Sequence, residues 1–465
     1  MTTTTVREIV LGVDVGTTSM KGVALDLDGA VVATASTLTR WDGGAGGEVE
    51  MPIDRLADAA ISVLLDLATS ASDGHRVIGI GITGLAETGV VLDDRGRPVT
   101  PAIAWYDQRG AEELAALPGE FLAEFSAVTG LSAKAECSFA KLLWLHARGL
   151  EVPTGGRWLN ALEYIAFRLN GELGTEPSLA SRTGLLDQEL VSPWSGALDH
   201  IGVGADFLPE LVPAGTNLGQ VAGDAPLVLR GAAVTVAGHD HLVNSVGAGA
   251  VGGDDLFDSC GTADVILRTV PRTLTNDERS ALVARGLSAG RHCLPGSTAI
   301  LGATRSGLVL GRVLSMLGAK SLGARRRIAN AWEPRDVRST SVVVSEPPGW
   351  TNEVTIRLRE YATPDEVWAA AMAYVLDQTS DLLSAIADIA GPYEHAFAAG
   401  GWAHLDGVYR GKAQLMPGLT VSEVAQPGAH GAAHFAEQAA GSAGANVSRR
   451  DSTVVSTQHI EELVT

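Results

Sequence analysis

Asp14-Val15-Gly16-Thr17-Thr18-Ser19 puts an acid, a glycine and three hydroxyls within six residues, directly after an apolar run. Glycine lets backbone N–H groups converge and the hydroxyls add donors, so such a turn can cradle phosphate oxygens. An acid that closes the preceding strand can hold a hydrated Mg2+ beside them. Taken alone, the segment also reads as an ordinary hairpin turn. Ser259-Cys260-Gly261-Thr262 repeats the chemistry much later in the chain, and two facing Gly-Thr hairpins can clamp a polyphosphate between two domains. Neither has the Gly-Lys-Ser/Thr ending of a P-loop. Neither is a dinucleotide-binding Gly-x-Gly-x-x-Gly turn.

Asp240 follows another apolar strand, in Ala237-Gly238-His239-Asp240-His241. A hydroxyl that attacks a phosphoryl group must lose its proton, and a positioned carboxylate can accept it. An N-cap for the helix that begins here is the competing role. His239 and His241 flank the acid at i, i+2. That spacing reads as capping, hydrogen-bonding or substrate contact rather than as a metal pair. Gly400-Gly401-Trp402 permits a flat ring to approach the backbone closely, as a nucleotide base requires, or forms a turn with no ligand. Trp105-Tyr106-Asp107-Gln108-Arg109 joins aromatic faces to carboxylates that accept hydroxyl hydrogens, the way sugars are held, or is a solvated loop around a core Trp. Glu87, in Thr83-Gly84-Leu85-Ala86-Glu87-Thr88, is a lone acid among apolar neighbours or a strand end in water.

The elements that must position these residues follow from the apolar pattern. Ile9–Val15 and Lys21–Leu27 read as strands, with Asp28-Gly29 as a hairpin signal before Ala30–Ala35. Pro52–Ala71 carries Leu56, Ala60, Val63, Leu64 and Leu67 at helical spacing. Val77–Ile82 and Val234–Val236 read as buried strands. Ala111–Leu150 looks largely helical, and Leu159–Leu169 continues until Asn170-Gly171 stops it. Leu256–Leu267 reads strand, Gly-Thr turn, strand, echoing residues 9–27. Helices are expected at Leu242–Ala250, Gly302–Leu317, Pro364–Ala390 and Ala429–Gly444, and a short strand at Ala396–Ala399. The echo implies two related halves.

The chain has 465 residues, too many for one hydrophobic core, so at least two domains are expected. Lys and Arg number 34 against 54 Asp and Glu, a net charge of −20. That balance disfavours a sequence-independent grip on nucleic acid or an anionic membrane. Cys137, Cys260 and Cys293 lie far apart in no metal-ligand spacing, which argues against a disulfide framework and for a reducing cytoplasm. Met1–Val13 lacks the features of a secretory signal, and no run reaches the ~18 apolar residues of a membrane helix.

Together these segments resemble the FGGY family of carbohydrate kinases. Leu11 to Lys21 is similar to the family's first phosphate motif, and Ser259-x-Gly261-Thr262 to its second. Gly400-Gly401 resembles the adenosine motif, and Gly238-His239-Asp240 stands where the family has Gly-x-Asp with its catalytic base. Ile82–Thr88 resembles the strand that supplies an Arg-Glu pair to the polyol in glycerol kinase. Ala102–Arg109 looks like the family stretch whose Trp lines the sugar pocket. Thr129–Leu131 to Lys141–Leu145 matches the family segment before the substrate helix, and Asn160–Leu169 with Glu176–Thr183 resembles its second sugar-contact region. The resemblance implies an α/β fold of two actin-like, ribonuclease-H-like domains, each a mixed five-stranded sheet flanked by helices, with ATP and sugar meeting in the cleft between them. It implies residues 1–252 as the N-terminal domain, carrying the sugar site, first phosphate turn and catalytic Asp, and 253–465 as the C-terminal, nucleotide-binding one.

On that reading the protein phosphorylates a hydroxyl of a sugar, polyol or sugar acid with ATP and Mg2+. Asp240 is the base and Asp14 the metal residue. Gly16, Thr17, Thr18, Ser19, Lys21, Gly261, Thr262, Gly400 and Gly401 bind the nucleotide. Glu87, Trp105, Asp107, Glu163, His239 and Asp240 face the acceptor. The resemblance also implies a homodimer. Ala86 stands where glycerol kinase has its polyol-binding Arg, and Glu87 where xylulokinase has the His of Gln-Met-His-Gly. With Glu136, His239 and His241 added, an acidic, His-containing pocket is expected. The stretch 342–361 is shorter than the loop many relatives carry there. An actin-like ATPase, a kinase of a non-sugar acceptor and a catalytically silent sugar-binding protein are the alternatives.

Overall fold

The computed structural model describes residues 6–71, 74–223, 225–334, 341–347 and 353–441. Residues 348–352 of the shortened stretch, and 442–444 of the expected Ala-rich helix, lie outside the described residues. These divide into two compact units. The first takes the residues up to Gly247, then Val270–Ala299 and those from Gln426 on. The second takes Ala248–Thr269 and Ile300–Ala425.

The first unit is built on strands β1 (Arg7–Val15), β2 (Ser19–Asp26), β3 (Val31–Leu38), β4 (His75–Gly84) and β5 (Ala233–His239). They form a five-stranded sheet in the order β5-β4-β1-β2-β3. β1 runs antiparallel to β2 and parallel to β4, and β4 is parallel to β5. β1, β4 and β5 are almost continuously buried, as strands covered on both faces must be, whereas the edge strand β3 is largely exposed. Helix α1 (Ile53–Ser70) buries Leu56, Ala60, Val63, Leu64 and Leu67 with Ile9, Leu11 and Val13 of β1. The opposite face, with Val10 and Val23, receives α3 (Pro427–Ala439) through Ala429, Ala433 and Ala436. Helix α2 (Asp240–Gly247) leads directly out of β5.

Helix α3 lies on the strands backbone to backbone. A Cβ on Gly12 would come within 1.9 Å of the Ala429 carbonyl oxygen, one on Gly81 within 1.9 Å of that of Ala432, and one on Gly79 within 2.4 Å of that of Ala436. On the α2 side, a Cβ on Gly247 would meet the Pro427 oxygen at 1.8 Å. Any side chain at these positions would lift the helix.

The second unit has β6 (Asp255–Cys260), β7 (Asp264–Val270), β8 (Thr298–Thr304), β9 (His395–Ala399) and β10 (Thr420–Val421). Their order is β8-β7-β6-β9-β10. β6 is antiparallel to β7 and parallel to β9, and β9 is parallel to β10. Numbered from its first strand, each sheet runs third, second, first, fourth, fifth, so the two share one order. The sheet holding β6–β10 has six strands, one more than expected. Its core packs Val309, Leu310 and Val313 against Val367, Trp368 and Ala371.

Two expectations change. The stretch 302–317 begins as the end of β8, and the helix spans only Ser306–Met316, with Arg305 between them. The stretch 111–150 is three helices, Ala111–Ala115, Gly119–Thr129 and Ser138–Ala147. Pro118 precedes the second of these, and Gly130, at φ 69°, terminates it. Among the described residues no helix is long and apolar enough to cross a membrane.

Candidate active site

The parallel strands β1, β4 and β5 end together at one edge of the first sheet. Their register pairs Asp14 with Thr83, and Thr83 with Gly238. The Thr83 hydroxyl donates to the Gly238 carbonyl at 2.7 Å, tying the ends of β4 and β5. Ligands of open α/β sheets bind beyond the carboxyl ends of the strands, and here Asp14 and Asp240 stand at that end.

Asp14 pairs with Lys21 across β1 and β2. Burial, then the nearby charge of Asp240, pushes its carboxyl up to about 7, against the opposing pull of Lys21 and His241. The first turn of α3 closes over it: a Cβ on Gly428 would fall 2.5 Å from Asp14 Oδ2.

The turn 16–19 is held from behind. The Thr39 hydroxyl donates to the Gly16 carbonyl at 2.7 Å, the Thr39 amide to that of Thr18 at 3.0 Å, and the Trp41 indole N–H to that of Thr17 at 2.8 Å. The Trp105 indole N–H donates to the Thr17 hydroxyl at 3.0 Å. The Gly16 amide closes the turn onto the Ser19 carbonyl at 3.1 Å, and with three carbonyls engaged from behind, the Thr17 and Thr18 amides are the ones left to meet an anion.

Asp240 is the first residue of α2. Its Oδ1 accepts the His241 amide at 2.7 Å and lies 3.2 Å from His239 Nε2 and 3.9 Å from His241 Nε2. Burial pushes its carboxyl up to about 7. The His241 amide and Arg182 oppose the rise and Glu87 adds to it. Burial holds both imidazoles neutral, His241 at about 4 and His239 well below its ordinary range. The His239 amide donates to the Ser178 hydroxyl at 3.0 Å. That hydroxyl in turn donates to Glu176, which also caps the helix Pro177–Thr183.

Glu87 is buried with a left-handed backbone, φ 63°. A residue of this kind at positive φ marks local strain. Its Oε1 accepts Arg182 Nε at 2.6 Å, and Arg182 Nη1 donates to the Ser288 hydroxyl at 3.0 Å. Arg182 lies in the stretch 176–183 that resembles a sugar-contact region, but the sequence does not single it out as a site residue; it is the cation beside Glu87, and its charge reaches His239, Asp240 and His241.

Two expected acceptor residues are engaged within the protein. Both oxygens of Asp107 are taken by Arg109 and by the amides of Val49 and Arg109. Both oxygens of Glu163 accept from Asn160, and one also from the Glu176 amide, forming the capping box of the helix Ala161–Asn170. Each acid holds its own loop, a role that residue type alone could not distinguish from sugar contact. The buried Lys141 is a further residue that the sequence did not single out. Its ammonium donates to the Asp107 carbonyl at 2.6 Å and to that of Ala135, clipping the Trp105 loop to the next segment.

Gly261, Thr262, Gly400 and Gly401 lie in the second unit. The Gly261 amide donates to the carbonyls of Ser259 and Ala263 at 3.0 and 3.2 Å. Gly400, just after β9, sits against Cys260, where a Cβ would meet the Cys260 oxygen at 2.4 Å. The second Gly-Thr turn and the Gly-Gly segment are therefore neighbours.

Residues 9–247 match the FGGY family of carbohydrate kinases, N-terminal domain, over slightly more than half of the chain. The chain belongs to the FGGY family. It is 29% identical over 269 residues to the xylulose kinase of Lactococcus lactis, covering 57% of this chain and 54% of that one. It is also 29% identical over 277 residues to the L-fuculokinase of Salmonella typhi, covering 56% of each. The chain thus spans about half the length of the curated relatives it matches. Among solved structures, the xylulose kinase of Rhodospirillum rubrum superposes with a TM-score of 0.80 at 24% identity, over 93% of this chain and 92% of that one. At that identity the likeness concerns the fold, two actin-like domains.

Proposed function

We propose that the protein transfers the γ-phosphoryl group of ATP to a hydroxyl of a sugar, polyol or sugar acid, with Asp240 as general base. One observation carries the reading: at the carboxyl end of β5, beside Asp14, stands a carboxyl held at about 7. A base works best when its pKa lies near the working pH, and burial supplies that here.

The acceptor oxygen attacks the γ-phosphorus, the bond from that phosphorus to the ADP oxygen breaks, and the hydroxyl proton passes to Asp240. The N–H groups and hydroxyls of Gly16–Ser19, with Lys21, offset charge on the phosphates. Gly261 and Thr262, with Gly400 and Gly401 toward the adenosine, are assigned the nucleotide in the second unit. The donor set fits Mg2+, a hard cation held through one or two carboxylates and water, because Asp14 is an oxygen donor whose ionised form is disfavoured by burial and by the charge of Asp240 despite the pull of Lys21. Bound there, the ion would neutralise charge developing on the phosphates. Glu87 with Arg182, Trp105 and His239 are assigned the acceptor side. All three cysteines are free and buried, which suits a reducing, cytoplasmic setting.

The test is ADP release across a panel of sugars, polyols and sugar acids. At least one should stimulate turnover, and Asp240→Asn should lower it by about 10²–10⁴-fold with ATP affinity kept. ATP hydrolysis that no acceptor stimulates, or an Asn variant with wild-type turnover, would overturn the proposal.

A further inference from the structure

Beneath the second Gly-Thr turn lies a charge cluster that the proposed chemistry does not use. Lys412, in the helix Asp406–Leu415, is 1% exposed. Its ammonium donates to Oδ2 of Asp258 at 2.5 Å and to Oδ2 of Asp264 at 2.6 Å, both acids being buried as well. Asp258 stands on β6 and Asp264 opens β7, paired with Cys260. One cation thus bridges the two arms of the hairpin immediately before they close through Gly261, Thr262 and Ala263. The two carboxylates and the Cys260 thiol are spaced to hold a cation, and the lysine ammonium already supplies it.

The turn above is fixed by its carbonyls. The Leu308 amide donates to the Thr262 carbonyl at 2.9 Å. A Cβ on Gly307 would meet the Gly261 oxygen at 1.9 Å, and the Trp402 amide donates to the Cys260 carbonyl at 3.4 Å. As at residues 16–19, the carbonyls are held on one side. A buried ion triad seldom gains stability over apolar packing of the same volume, so its place directly under this turn calls for a role in geometry.

We infer that Lys412 is a positioning residue. It sets the separation of the hairpin arms and so the aim of the Thr262 amide and hydroxyl at the nucleotide phosphates. This rests on the proposed assignment of that turn to ATP. Removing the ammonium leaves two buried carboxylates that repel or take up a proton, and the arms part.

The experiment compares wild type, Lys412→Met and Asp264→Asn by calorimetric titration with a non-hydrolysable ATP analogue, and by steady-state kinetics. The ammonium's charge-assisted bonds predict a rise of about tenfold or more in the analogue Kd and in KM for ATP with Lys412→Met. KM for the acceptor should stay within about twofold, since the acceptor residues lie in the first unit. Asp264→Asn keeps the Lys412–Asp258 pair and should shift the same two quantities in the same direction by less, so it serves if the Met variant does not fold. An unchanged analogue Kd in a folded variant, or an equal rise in both KM values, would overturn the inference. A wild type that binds the analogue yet phosphorylates no acceptor overturns the proposed reaction alone. A wild type that binds no nucleotide overturns both.

Discussion

Asp240 and Asp14 share an unfavourable setting, and its cost has a definite sign. An aspartate at 3.8 in the unfolded chain and about 7 in the folded one binds its proton more tightly when folded. The stability this contributes is complete below about pH 4, declines as pH rises, and is gone above about pH 7. Asp240→Asn should therefore melt above wild type at pH 8, by ~2 °C or more, with the gap closing at pH 4. The opposite order in a thermal scan would contradict the assignment. Activity has the reverse slope, because the base must be ionised: kcat/KM should climb between pH 5.5 and 8 with its midpoint at about 7. A flat profile would exclude Asp240 as the base. Asp14, Asp240 and the first turn were legible in the sequence because each adjoins an apolar strand or a glycine. Lys412 was not, and Arg182 only as part of the stretch 176–183, since their partners lie 154 and 95 residues away. Asp107 and Glu163 show the converse. Arg109 and Asn160, their donors, stand only two and three residues away, but a neighbouring donor in the sequence does not say whether the carboxylate is closed on it or left for a sugar.

At the level of elements, the site depends on how closely α3 can lie on β1 and β4. Gly81→Ala would put a methyl group 1.9 Å from the Ala432 oxygen, where backbone must move rather than a side chain. A loss of ~2 kcal/mol or more in urea unfolding is expected, whereas a neutral change would mean that the helix can shift freely. The hairpins at 9–27 and 256–267 were readable because turn chemistry and apolar runs coincide. The end of β8 was not, as only Arg305, which breaks neither strand nor helix, lies between Thr304 and Ser306. The two-residue β10 is too short to leave a period.

For the whole molecule, the first unit draws on three separate stretches of chain. α3, although remote in sequence, covers one face of its sheet. A chain ended after Ala425 would expose that face and should be insoluble or lack cooperative unfolding by circular dichroism, even with every assigned acceptor residue retained. A soluble, cooperatively melting product would show that the sheet does not need the helix. The repeat of Gly-Thr hairpins let the sequence foretell two related halves, but the return of α3 to the first could not be read, because an Ala-rich helix bears no mark of the sheet it serves. The two indole N–H bonds to Thr17 carry a practical corollary. Indole emission is sensitive to that bonding, and since Trp41 and Trp105 are two of nine tryptophans, the part of a titration signal that disappears in Trp41→Phe and Trp105→Phe is an optical gauge of the first phosphate turn that needs no dye.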